Sequence, residues 1–163
     1  MTIKNFKGVF FLTALTFVMA CSPKPEAPVT AAPVIDKEAI KQQIQNKENA
    51  FAELYNTGVL KDINYYADDA TTFYQHRAPL VGKASIIEFL KSDLQDNTNK
   101  ITFITNEVFV SNDGVQVIEV GSYKVVDSIN IPINTGNYMS LFEKRDGEYV
   151  CVRDMSASDI PLE

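Results

Sequence analysis

A chain of 163 residues has room for one ordinary domain and not for two. Apolar residues at 45% and charged residues at 22% give a globular balance, while a net charge of −6 and a pI near 4.8 argue against a nucleic-acid partner, which needs a basic face. One histidine and two cysteines cannot build a His₃, Cys₂His₂ or Cys₄ zinc centre, and no metal or other cofactor is expected.

Lys4 and Lys7 precede an almost unbroken apolar run from Gly8 to Ala20. The run is too short for a settled membrane span, which needs ~20 apolar residues, and has the profile of a secretory signal. It ends in Val18-Met19-Ala20-Cys21, which resembles a bacterial lipobox. The resemblance implies that the Cys21 thiol is acylated, that residues 1–20 are removed, and that Cys21 becomes a lipidated N-terminus. An ordinary cleavable signal with a chance cysteine is the alternative. Several acyl chains at ~0.8 kcal/mol per buried CH₂ make a stable anchor. With Cys21 lipidated, Cys151 has no partner for a disulfide. Ser22 follows, with no aspartate to suggest inner-membrane retention, so the expected location is the cell envelope, on the outer membrane facing the periplasm. Cleavage takes away two lysines and no acid, which lowers the charge to −8. Residues 21–35 carry Pro23, Pro25, Pro28 and Pro33 and read as an extended tether.

Residues 36–163 form the folded part, enough chain to bury roughly two-thirds of its unfolded surface. Asp36 is a helix N-cap with Glu38 in the first turn. Ile40, Ile44, Lys47, Phe51, Leu54 and Tyr55 recur at helical spacing, and Gly58 suits the position after the helix. A short second helix is expected from Leu60 to Tyr66, a strand from Ala70 to Gln75, and a third helix from Lys83 to Leu94. From Ile101 the period changes to that of strands, with runs at Ile101–Val110, Val115–Val126, Gly136–Lys144 and Glu148–Met155. Asn112-Asp113-Gly114 and Asp146-Gly147 are hairpin signals. Ser128 to Asn134, with Pro132, is expected to be a longer connection or an irregular edge. Helices followed by an antiparallel meander mean an α+β fold. One strand face carries Val117, Glu119, Gly121, Tyr123 and Val125, the other Ile118, Val120, Ser122, Lys124 and Val126. Neither is cleanly polar, and a homodimer is the simplest cover for a second apolar face.

The segments Leu54-Tyr55-Asn56-Thr57-Gly58, Tyr66-Ala67-Asp68-Asp69-Ala70-Thr71 and Leu80-Val81-Gly82-Lys83-Ala84-Ser85-Ile86 resemble the nuclear transport factor 2-like superfamily, which includes ketosteroid isomerases and polyketide cyclases. Glu119 to Tyr123, Gly136 to Tyr138 and Arg145 to Asp154 fit the same pattern, nearest the branch called domain of unknown function 4440. The resemblance covers about residues 37–160. It implies a cone: a strongly curved antiparallel sheet wrapped around a long N-terminal helix, the cystatin-like arrangement, with a pocket at the mouth. Such domains are often dimers through the outer sheet face. The superfamily spans enzymes, transport factors and plain binding domains, so the fold does not carry a function with it. Carried across by the motifs, the isomerase base position holds Tyr74, and its two proton donors fall near Phe51 and Ser140. All three are changed, and isomerisation of that kind is not expected.

Other acid–base candidates remain. Glu119 is a general acid or base if its strand face lines the cone, where burial would raise its pKa; otherwise it is an outward glutamate paired with a lysine. Asp154 is a pocket carboxyl or half of a surface pair with Arg153. His76 is a proton-transfer candidate near the mouth or an exposed turn residue. Tyr55, Tyr74, Tyr123 and Tyr138 are candidate ligand contacts, with ordinary core packing as the plain alternative. Cys151 reads as a small buried hydrophobe. Asp68-Asp69 resembles a metal pair but fits a turn of the family. The leading expectation is a lipid-anchored domain that binds a small, partly apolar molecule. The alternatives are an isomerase, cyclase or hydrolase, and a dimeric envelope interaction module.

Overall fold

The computed structural model describes residues 34–96 and 98–161. The signal, Cys21 and the tether up to Pro33 lie outside them. Helix α1 spans Lys37–Thr57. The Asp36 carboxylate accepts from the Ala39 N–H at 3.0 Å and caps its start. Gly58 ends it in the left-handed region at φ 74°, its N–H bonded to the Tyr55 carbonyl. The sheet consists of β1 (Tyr66–Phe73), β2 (Leu80–Val81), β3 (Lys100–Val110), β4 (Gln116–Val126), β5 (Pro132–Arg145) and β6 (Glu148–Ser158), in the order β2-β1-β6-β5-β4-β3. Helix α2 (Lys83–Asp96) packs beside β1. This is the expected α+β cone, with α1 in the curve of a six-stranded sheet.

Beyond shifts of a few residues at strand ends and the short strand β2, three features differ from the sequence reading. The second helix is a single 3₁₀ turn, Leu60–Asp62, and the chain is already extended at Tyr66. Extension there buries Tyr65 and Tyr66 side by side, edge to face at 4.8 Å. The sheet is not wholly antiparallel, because β1 runs parallel to β6. The whole meander separates those two strands, so no hairpin fixes their direction. Finally, β5 starts at Pro132 rather than Gly136. The Asp127 carboxylate accepts from the N–H groups of Ile129 and Ile131 and tightens the connection. Pro132 stands at the first strand position, where a missing N–H is tolerated.

Curvature comes from register slips. Asn106 on β3, Ile133 on β5 and Val152 on β6 are each an extra residue opposite a regular partner. The exposed edge of β3 is held against α1 by side chains. The Gln45 amide donates to the Phe103 carbonyl and accepts from the Thr105 N–H; the Asn56 amide does the same at both backbone groups of Ile101; the Lys41 ammonium donates to the Asn106 carbonyl. The helix thereby satisfies backbone groups that an open edge leaves unpaired and is fixed over the sheet. The core contains Ile44, Ile63, Ile86, Val117, Phe142 and Cys151. Among the described residues no helix is long and apolar enough to cross a membrane.

Candidate functional site

The inner face of the sheet carries a polar row. Glu119, Ser140 and Asp154 lie directly opposite one another on β4, β5 and β6. Glu119 and Ser140 are fully buried. The Ser140 hydroxyl donates to Asp154 Oδ1 at 3.2 Å, and Thr105 on β3 donates to Glu119 Oε1 at 2.6 Å. Above the row, α1 supplies Glu48, only 1% exposed. The Ile44, Glu48, Ala52, Tyr55 spacing puts that carboxyl on the buried stripe, where the sequence reading places Lys47.

Beside the row is a cavity of about 280 Å³, near the lower end of the about 300–1,000 Å³ typical of ligand sites. It is walled by Phe51, Phe89, Leu90, Ile101 and Phe103, and by six tyrosines: Tyr55, Tyr65, Tyr66, Tyr74, Tyr123 and Tyr138. Glu48, Asp93, Asp154 and Ser156 supply its polar lining. Two glycines make room for two of the rings. A Cβ on Gly121 would lie 2.2 Å from the Tyr138 ring, and one on Gly136 would lie 2.4 Å from the Tyr123 hydroxyl.

Four phenols pair with four carboxyls. Tyr65 donates to Glu48 at 2.5 Å, Tyr138 to Glu119 at 2.8 Å, Tyr66 to Asp154 at 3.3 Å, and Tyr55 to Asp93. Burial pushes the Glu48 carboxyl well above its ordinary value, and the charge of Glu119 adds to the rise. Burial raises Glu119 as well, less far, because Thr105, Tyr138 and Glu48 donate to it. The bond between the two carboxyls raises Glu48 and lowers Glu119, so the shared proton resides on Glu48. Glu119 Oε2 has no other hydrogen-bond partner among the described residues, and a buried acceptor left without a donor is costly. Asp154 is enclosed by protein yet keeps accessible surface, because it lines the cavity. Burial lifts it from 3.8 to about 6, against the donors Ser140 and Tyr66 and with the help of the Glu119 charge. Burial also pushes the Tyr74 and Tyr138 phenols up, so both stay protonated at neutral pH.

Of the residues singled out from sequence, Tyr55, Tyr74, Tyr123, Tyr138 and Asp154 line the cavity, and Glu119 sits directly behind Tyr138. His76 does not line it. It is exposed in the turn after β1, with φ 58°. Sequence reasoning passes over Glu48, Tyr65 and Asp93. For Glu48 the signal was present, a carboxylate four residues from Ile44 and three from Phe51 on one helical stripe. For Asp93 and Tyr65 only the tertiary fold brings them in. Cys151 is fully buried, and its thiol is pushed up by burial, which leaves it inert. Asp69 is held below its ordinary range by the Arg145 guanidinium. Among the described residues no three His, Cys, Asp or Glu side chains are placed to hold a metal.

The outer sheet face carries exposed apolar side chains in adjacent strands: Phe109 opposite Ile118, and Phe73 beside Met155 and Met139.

No family model and no curated protein matches the chain. Solved structures do match in fold. An NTF-2 like protein of unknown function from Shewanella oneidensis superposes with a TM-score of 0.61 at 19% identity, over 72% of this chain and 98% of that one. A domain of unknown function with a cystatin-like fold from Nostoc punctiforme gives 0.66 at 13%, over 78% and 82%. A ketosteroid isomerase-like protein from Erwinia carotovora gives 0.59 at 15%, over 74% and 96%. The chain has the NTF2-like, cystatin-like fold.

Proposed function

We propose that this is a small-molecule binding domain, tethered to the bacterial envelope through a lipid on Cys21, whose ligand enters the cavity between α1 and the sheet. One observation carries the reading. A cavity of about 280 Å³ is kept open beside a row of buried polar groups, where a domain selected only for stability would fill the space with side chains. Aromatic walls supply apolar contact, and the few convergent polar groups fix orientation.

The test is an NMR titration with neopentylbenzene, a neutral apolar probe of suitable size. Saturable shifts confined to the cavity rings, and absent in a Ser156→Trp variant that fills the space, are expected. No saturable shift, or shifts on the outer sheet face alone, would overturn the reading. For the anchor, Cys21→Ser should move the protein from the membrane fraction to the soluble one; an unchanged membrane fraction defeats it.

A second reading, proton-transfer catalysis, is favoured by Asp154 alone. A cavity carboxyl lifted to about 6 is near the optimum for a base working at neutral pH. Glu119 then acts only by raising Asp154. The apolar outer face supports a homodimer, which sedimentation would detect as a doubled mass that Met139→Lys returns to the monomer.

A further inference from the structure

The charged lining of the cavity is one-sided. Tyr55, Tyr65, Tyr66 and Tyr138 each spend their only O–H on a carboxyl. Toward a ligand these four oxygens can only accept, which leaves the hydroxyls of Tyr74, Tyr123 and Ser156 as the remaining neutral donors of the lining. Asp93 and Asp154 add carboxylate oxygens, and among the described residues that line the cavity there is no Lys, Arg or His. Arg77 stacks on Phe89 at 4.1 Å and is not part of the lining. A ligand carbonyl, carboxylate or phosphate would find only the neutral hydroxyls of Tyr74, Tyr123 and Ser156 as donors and would face repulsion from the acids. A cation would find both its attractions, ring faces and carboxylates, in a space partly closed to water.

We infer that the ligand of this cavity is a small organic cation, an alkyl- or arylalkyl-ammonium group caged by Phe51, Phe103 and Tyr138 and neutralised by Asp154 and Asp93. This rests on the reading of the cavity as a ligand site and narrows it to one chemical class. The same geometry opposes the carbonyl-polarising chemistry suggested by the isomerase-like neighbours of the fold, because four of the six phenol protons that could bind an oxyanion are already committed.

The inference predicts a pH dependence. The groups facing Asp154 are Glu48 from α1, Tyr65 just before β1, Tyr66 at its start, Tyr74 just past its end, Glu119 from β4, Ser140 from β5 and Cys151 on its own strand. None of them is a cation. Lowering the pH through the Asp154 titration therefore removes attraction for a bound ammonium, with no basic neighbour to compensate.

Three probes of one shape and different charge test the inference on the purified protein by NMR titration and calorimetry: benzyltrimethylammonium, its neutral isostere neopentylbenzene, and the anion phenylmethanesulfonate. At pH 7.5 the cation should bind about tenfold or more tighter than the neutral isostere, and the anion should not bind. The preference should shrink at pH 5. It should also shrink in Asp154→Asn and Asp93→Asn, two shape-conserving variants whose folding is checked by their NMR spectra. Equal or tighter binding of neopentylbenzene, or any binding of the sulfonate, overturns the cation class while leaving the cavity a ligand site. Failure of all three probes overturns the site itself.

Discussion

Replacing Asp154 by Asn isolates the cost of keeping a carboxyl in the inner row. In the folded protein the group titrates near 6 instead of 3.8, chiefly because burial disfavours its charge. A carboxyl raised on folding stabilises fully below its unfolded pKa, and the contribution is lost as pH rises through the folded one. The distance from 3.8 to about 6 sets a ceiling of about 3 kcal/mol, and access to the cavity reduces it, so a loss of about 1–3 kcal/mol between pH 4 and pH 8 is expected. Asparagine does not titrate and keeps an acceptor for Ser140. Relative to wild type, the variant should therefore gain about 1–3 kcal/mol over that interval. Urea unfolding at a series of pH values measures it. Glu48 and Glu119 titrate in both proteins, so their slope largely cancels in the difference. A flat difference curve, or one in which wild type gains with rising pH, would refute the account of the row.

Glu48→Gln supplies a permanent donor to Glu119 and keeps an acceptor for Tyr65. It should match wild type near pH 5 and exceed it at pH 8, whereas Glu48→Leu, which leaves Glu119 and the Tyr65 hydroxyl without their partner, should lose about 2–4 kcal/mol at neutral pH; equal losses in urea unfolding would contradict the shared proton. Gly121→Ala drives a methyl into the Tyr138 ring and should cost about 1–3 kcal/mol. A large part of that cost should disappear when Tyr138 is also truncated, and additive losses in the double-mutant cycle would show that ring and glycine are not in contact.

Much of the frame was legible because local rules state it. Asp36 and Gly58 bound α1, the Asn-Asp-Gly and Asp-Gly turns mark hairpins, and the Val117, Glu119, Gly121 alternation separates the two faces of β4 without telling which one is inner. The parallel β1–β6 pairing was not legible, since its partners stand some eighty residues apart with no turn between them. Nor was the early start of β5, which depends on Asp127 capping a short connection. The site divides in the same way. The tyrosines announce themselves by size and hydroxyl, but the carboxyl–phenol pairing exists only across elements: α1 with the segment before β1, β4 with β5, β1 with β6, and α1 with α2. Glu48 was hidden because a glutamate on a helix ordinarily means the solvent side. His76 drew attention as the sole imidazole, and its left-handed turn holds it outside.

The most direct measurement is a crystal structure of the protein grown with benzyltrimethylammonium. Density for the probe between Phe51, Phe103 and Tyr138 is predicted, with its nitrogen within ~6 Å of a ring centre and turned toward Asp154. A space between α1 and the sheet closed by side chains, with the probe only on the outer face, would contradict the account.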